Sequence, residues 1–118
     1  MYYNGRGIHR DESQAFQWWH KAADQGNAEA QQYLGFMYAQ GKGAPEDAGQ
    51  AVHWWRKAAE HGNSEAQYNM GVMYFQGRGV PQDNAQAVFW WRKAAEQGDS
   101  DAKRHLEDMV AKGLLDKT

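Results

Sequence analysis

Between residues 15 and 23 one set of apolar positions is Ala15, Phe16, Trp19, Ala22 and Ala23, with Trp18 at its flank. They recur at three-, four- and seven-residue steps, the signature of one face of an α-helix. The arrangement returns at Ala51, Val52, Trp55, Ala58 and Ala59, and again at Ala87, Val88, Trp91, Ala94 and Ala95. A second helical face lies between these segments, at Ala30, Leu34, Met37 and Tyr38, and then at Ala66, Met70, Met73 and Tyr74. The pattern predicts first-type helices over Asp11–Gln25, Asp47–His61 and Asp83–Gln97, each followed by a second-type helix, with roughly 13–15 residues per helix.

Local chemistry agrees with these boundaries. Asp11, Asp47 and Asp83 stand three residues before Gln14, Gln50 and Gln86, the spacing of a capping box. Pro45 and Pro81 precede two of these caps and stop any upstream helix from running on. Gly26, Gly62 and Gly98 end the first-type helices, and Asn27, Asn63 and Asp99 are good N-caps for the second. Gly41 and Gly77 close the second-type helices. Gly35 and Gly71 fall in the middle of those helices, where glycine costs about 1 kcal/mol against alanine. A cost incurred twice implies a neighbouring helix that approaches closely, with an aromatic ring over the missing side chain.

The pattern is a true repeat. Residues 18–53 and 54–89 align without a gap and share 21 of 36 positions. The third copy follows to Ala102 and then diverges, while "MYYNGRG" at the start matches "MYFQGRG" at Met73–Gly79. A single helix pair cannot bury its apolar face alone and must stack on the next, so the expected fold is all-α: an α-solenoid of antiparallel helix-turn-helix repeats with a 36-residue period. We divide the single domain 1–118 into a stub and loop (1–10), repeats at 11–46 and 47–82, and a third repeat with a C-terminal cap (83–118). Glu107 and Val110 replace the Gly71 and Tyr74 positions in that cap.

Composition removes several function classes. The chain has 118 residues, enough for one domain with a core. Thirteen basic and 15 acidic residues give a net charge of −2 with no basic stripe, so there is no electrostatic case for nucleic acid. No apolar run reaches the roughly 20 residues of a membrane span, and "MYYNGRGIHRDE" has no signal-peptide character. The expectation is a cytoplasmic location for the chain as given, or export if upstream sequence is missing. Without cysteine there are no disulfides or thiolates.

The run A-x-x-W-W-x-K-A-A-x-x-G-[ND]-x-[ED]-A, followed by [LM]-G-x-M-Y-x-x-G-x-G-x-P, resembles the Sel-one-like repeat family, a relative of the tetratricopeptide repeats. It is carried in the middle copy by Ala51, Trp54, Trp55, Lys57, Ala58, Ala59, Gly62, Asn63, Glu65, Ala66, Met70, Gly71, Met73, Tyr74, Gly77, Gly79 and Pro81. The resemblance implies a right-handed superhelix acting as a non-enzymatic protein-interaction or adaptor module, without cofactor. Family members are abundant in bacteria and often linked to host interaction, envelope processes or toxin immunity, so an immunity or anti-toxin role is an allowed alternative.

Six tryptophans form three pairs. Their period is the fold period, so packing is the expected role. Trp19, Trp55 and Trp91 belong to the core with Gly35, Gly71, Tyr38 and Tyr74. Trp18, Trp54 and Trp90, at the flank of the face, are expected to be half exposed. The five histidines share no repeat position and form no metal spacing. His20 and Asp24 read as an ordinary solvated pair one turn apart. The G-x-G pairs lack a phosphate-loop context, and the three serines all lie near helix starts. No constellation asks for catalysis.

Function is therefore expected where copies vary on a fixed scaffold. Gln14, Gln17 and Lys21 lie opposite the apolar face of the first helix, and their counterparts are Gln50, His53, Lys57 and Gln86, Phe89, Lys93. If first-type helices line the concave side, this stripe is a groove for a peptide or protein. Phe89 is an aromatic residue where the helical wheel predicts solvent, consistent with a groove or with contact to the C-terminal cap. A competing expectation is self-assembly into a homo-oligomer through an uncovered N-terminal edge that includes Met1–Tyr3 and Phe16.

Overall fold

The computed structural model describes residues 5–114. Six helices follow one another: α1 (Gly5–Asp24), α2 (Ala28–Gln40), α3 (Ala48–Glu60), α4 (Ser64–Gln76), α5 (Asn84–Glu96) and α6 (Ser100–Ala111). No strand occurs among the described residues. Each helix packs on its chain neighbour, with α2 against α3 and α4 against α5 most extensively, in an elongated body of 50 × 26 × 26 Å. This is the expected α-solenoid.

The caps form as their residue types dictate, with one revision. Asn27, Asn63 and Asp99 accept from the amides of Ala30, Ala66 and Ala102 at 2.8, 2.8 and 2.9 Å. Asp47 and Asp83 accept from Gln50 and Gln86 N–H, both at 3.1 Å. The return half of the capping box is absent at these two caps. The amides of Asp47 and Asp83 donate instead to the Tyr38 and Tyr74 carbonyls, at 3.0 and 2.9 Å. The ends of α2 and α4 thus tie down the starts of α3 and α5, and among the described residues the exposed Gln50 and Gln86 side chains take no part in the cap. Gly41 and Gly77 take left-handed conformations, φ 71° and 69°, that side chains disfavour.

The N-terminus departs from expectation. α1 runs from Gly5, so residues 5–10 are helical rather than loop, and Asp11 lies inside a helix rather than capping one. The reason is a missing stop signal. His9 occupies the position of Pro45 and Pro81, so nothing at that point prevents the helix from running through. Met1–Tyr3 lie outside the described residues. Phe16 is half-buried, with its ring edge-on to Tyr38 at 5.4 Å.

The core is periodic and is built from the tryptophan pairs. Trp55 lies over Gly35 and Trp91 over Gly71, so close that a Cβ at either glycine would overlap the indole. Their N–H groups donate to the Gln32 and Tyr68 carbonyls at 2.9 and 3.2 Å. The first tryptophan of each pair does not behave as expected. Trp54 and Trp90 are buried, at 7% and 6% exposure, whereas Trp18 is 72% exposed. Trp54 packs with Ala23, Ala30 and Leu34 of the preceding helix pair, and Trp90 joins the cluster around Met70 and Met73. A helical wheel drawn on one helix puts these residues at the flank, but the adjacent pair reaches far enough to cover them.

Two buried glutamines escape a pattern-based reading. Gln31 and Gln67, 3% and 5% exposed, donate to the Ala23 and Ala59 carbonyls at 3.2 and 3.1 Å and so tie second-type helices to the ends of first-type ones. Gln97 donates to Gln67 Oε1 at 2.9 Å, but its counterpart His61 points Nδ1 at the Lys57 carbonyl, which leaves Gln31 Oε1 unpaired.

Candidate interaction surface

The scaffold fixes one face of α1, α3 and α5. Ala51, Trp55 and Ala58 turn into the core on one side of α3, so the residues opposite must face solvent. All nine stripe residues do: Gln14, Gln17 and Lys21 on α1, Gln50, His53 and Lys57 on α3, and Gln86, Phe89 and Lys93 on α5 are exposed. Rows of glutamine and lysine therefore repeat from helix to helix, and the column between them changes from Gln17 to His53 to Phe89. The Gln50 and Gln86 side chains take no part in the caps, because the Tyr38 and Tyr74 carbonyls satisfy the cap donors.

Two surface depressions border the stripe at its ends. One, of about 460 Å³, is lined by Gln14, Gln17, Trp18 and Lys21. The other, of about 350 Å³, is lined by Ala85, Val88, Phe89, Arg92, Lys93 and Glu96. Phe89 is 48% exposed and stands edge-on to Trp90 at 5.0 Å, with the Lys93 ammonium 5.3 Å above its ring. The stripe as a whole offers an aromatic face, three lysine cations and several neutral hydrogen-bonding amides. At the middle rung His53 meets Trp54 edge-on at 5.0 Å, and the Trp54 indole in turn meets His20 at 5.4 Å.

The other candidates separate from this surface. His20 and Asp24 form an exposed pair at 3.1 Å. His105 is part of the packing at the C-terminal end: it stacks on Trp91 at 4.6 Å and shares a 3.0 Å hydrogen bond with the Tyr68 hydroxyl. Partial burial, then the nearby Asp101 and Asp99 carboxylates, push the Tyr68 hydroxyl above its ordinary pKa, with Arg104 opposing. Burial, then Asp47, do the same to Tyr38. Neither tyrosine is poised for acid–base chemistry near neutral pH. Among the described residues, no group of three or more His, Asp or Glu side chains is placed to hold a metal ion, and no helix is long and apolar enough to cross a membrane.

The Sel1 repeat family model matches the chain at residues 1–27, 28–63 and 64–99. These units run about half a repeat out of phase with the division at 11, 47 and 83, a matter of where a continuous solenoid is cut. No curated protein is significantly similar to the chain. Among solved structures, the chain is similar to c5321, a protective antigen of uropathogenic Escherichia coli strains that displays an SLR fold: 44% identity, TM-score 0.85, over 86% of this chain and 22% of that one. A Sel1 repeat protein from Oxalobacter formigenes matches with 39% identity and TM-score 0.81, over 86% of this chain and 42% of that one. Helicobacter pylori cysteine rich protein B matches with 29% identity and TM-score 0.70, over 74% of this chain and 65% of that one. The chain thus spans less than half the length of the first two. The period, the tryptophan-over-glycine packing and the family match lead to one conclusion: this chain belongs to the Sel1 repeat family.

Proposed function

We propose that the chain is a non-enzymatic interaction module that binds a peptide or protein partner along the α1–α3–α5 stripe. Sel1 repeat proteins generally mediate protein–protein interactions, and the family is typically a non-catalytic scaffold. The observation that supports the stripe reading is the exposure of all nine stripe residues, on a face whose opposite side is committed to the core in α3 and α5 and partly buried in α1. Phe89 adds weight, because an aromatic ring left 48% exposed beside a cation is the kind of feature a partner covers.

The test is affinity capture from the source organism's lysate, with wild type compared with the triple variant Gln17→Ala/His53→Ala/Phe89→Ala. The reading expects a protein enriched by the wild type and lost with the variant. Identical capture by both would remove the stripe as the binding surface.

A further inference from the structure

Gln97 and His61 occupy one repeat position, just past the ends of α5 and α3, and they treat the helix pair behind them differently. The Gln97 amide donates to the Gly62 carbonyl and to Gln67 Oε1, both at 2.9 Å, and so clasps α5 to the α3–α4 pair. The matching clasp between α3 and the α1–α2 pair is not made. Gln31, 3% exposed, donates its amide to the Ala23 carbonyl and keeps a buried Oε1 with no partner among the described residues. His61 faces its own helix instead, with Nδ1 2.8 Å from the Lys57 carbonyl. A carbonyl oxygen only accepts, so Nδ1 carries the proton of the neutral ring and Nε2 has none to offer. An acceptor without a donor thus lies at this seam, and the residue at the donor's position is one proton short of supplying it.

We propose that His61 is a pH-dependent clasp between the first two helix pairs: once protonated, its ring donates a second N–H to Gln31 Oε1, the bond that Gln97 makes to Gln67. The surroundings suit a cation. His61 caps the C-terminal end of α3, where the last carbonyls carry partial negative charge. The ends of α1, α3 and α5 carry exposed Asp24, Glu60 and Glu96 with Lys21, Lys57 and Lys93, and the first turns of α2 and α4 add exposed Glu29 and Glu65. Lys57, one turn before the ring, opposes its charge, but carboxylates outnumber ammonium groups around the seam. A bond made only by the protonated ring strengthens the folded state as pH falls through the histidine range, from about pH 8 to about pH 5, and is lost as pH rises through it. The clasp does not depend on the stripe reading.

The test follows the isotope-labelled wild-type chain by NMR from about pH 7.5 to about pH 5.5, across the histidine range. The Gln31 side-chain amide signals should move in step with the His61 ring, while those of Gln67, already clasped by Gln97, stay in place. Gln31 signals that stay put while His61 titrates, or Gln67 signals that move equally, overturn the proposal. Thermal melts of wild type and His61→Gln give a second reading. The glutamine supplies a clasp that needs no proton, so the variant should melt above wild type near neutral pH. That advantage should fall by roughly half or more at about pH 5.5. The remaining histidines are common to both chains and cancel in the difference. An advantage that is unchanged or grows on acidification refutes the clasp, and circular dichroism shows that both chains are folded.

Discussion

Gly71 and Gly49 give opposite answers to the same substitution. Alanine at an open helical position gains roughly 0.5–1 kcal/mol over glycine. At Gly49 the new Cβ meets only Asp47 Oδ1, at 3.4 Å, and Gly49→Ala should raise stability by about 0.5 kcal/mol. At Gly71 the Cβ would enter the Trp91 indole, so Gly71→Ala should lower stability by about 1–3 kcal/mol despite the better propensity. Paired urea titrations decide the matter, and a gain at Gly71 would mean that the indole does not lie there. The twin glycines were legible in the sequence because a helix-breaking residue placed twice at one position needs a steric reason. Gln31 was not legible, because a glutamine in a helix reads as solvated until its carbonyl partner eight residues back is located. That site gives a second expectation. His61→Gln, copying Gln97, should pair the orphaned Gln31 Oε1 and add about 1 kcal/mol, visible as a higher melting temperature.

Helices are positioned by what adjacent helices cover, and the tryptophan pairs register this. Trp54→Ala or Trp90→Ala should cost about 3–5 kcal/mol, as expected for emptying a buried aromatic site. Trp18→Ala should cost under about 0.5 kcal/mol, as for a surface change. Equal losses at all three positions, measured by chemical denaturation, would contradict the packing described. Five of the six helices fall where apolar spacing and cap residues put them, because Asn27, Asp47, Asn63, Asp83 and Asp99 each satisfy an otherwise unpaired amide. α1 does not, and the cause is a single residue: the "D-x-x-Q" cap signal at Asp11 lacks the proline that accompanies it at Asp47 and Asp83. A cap residue allows a helix to begin but does not prevent one from continuing. The burial of Trp54 and Trp90 was illegible for a related reason, since a wheel describes one helix and their cover comes from the preceding pair.

Across the whole molecule, a repeated scaffold separates the residues that make it stable from the residues that can vary. Tryptophans, alanines and glycines hold the stack, while Gln17, His53 and Phe89 change from one first-type helix to the next on its exposed face, where His53 and Phe89 meet Trp54 and Trp90 only edge-on. The stripe was legible at the level of exposure, because burial of one helix face dictates the opposite one. Which protein surface the stripe would suit is not written in the residues, since neutral amides, lysines and one aromatic ring match many. The separation has a direct consequence. Substitutions on the stripe should abolish binding at almost no cost in stability. The decisive measurement is a titration of the captured partner against wild type and the Gln17→Ala/His53→Ala/Phe89→Ala variant, with melting temperatures taken on the same samples. The account predicts at least a tenfold loss of affinity, about 1.4 kcal/mol or more, with the melting temperature shifted by no more than about 3 °C. Unchanged affinity in a variant that melts normally would contradict it.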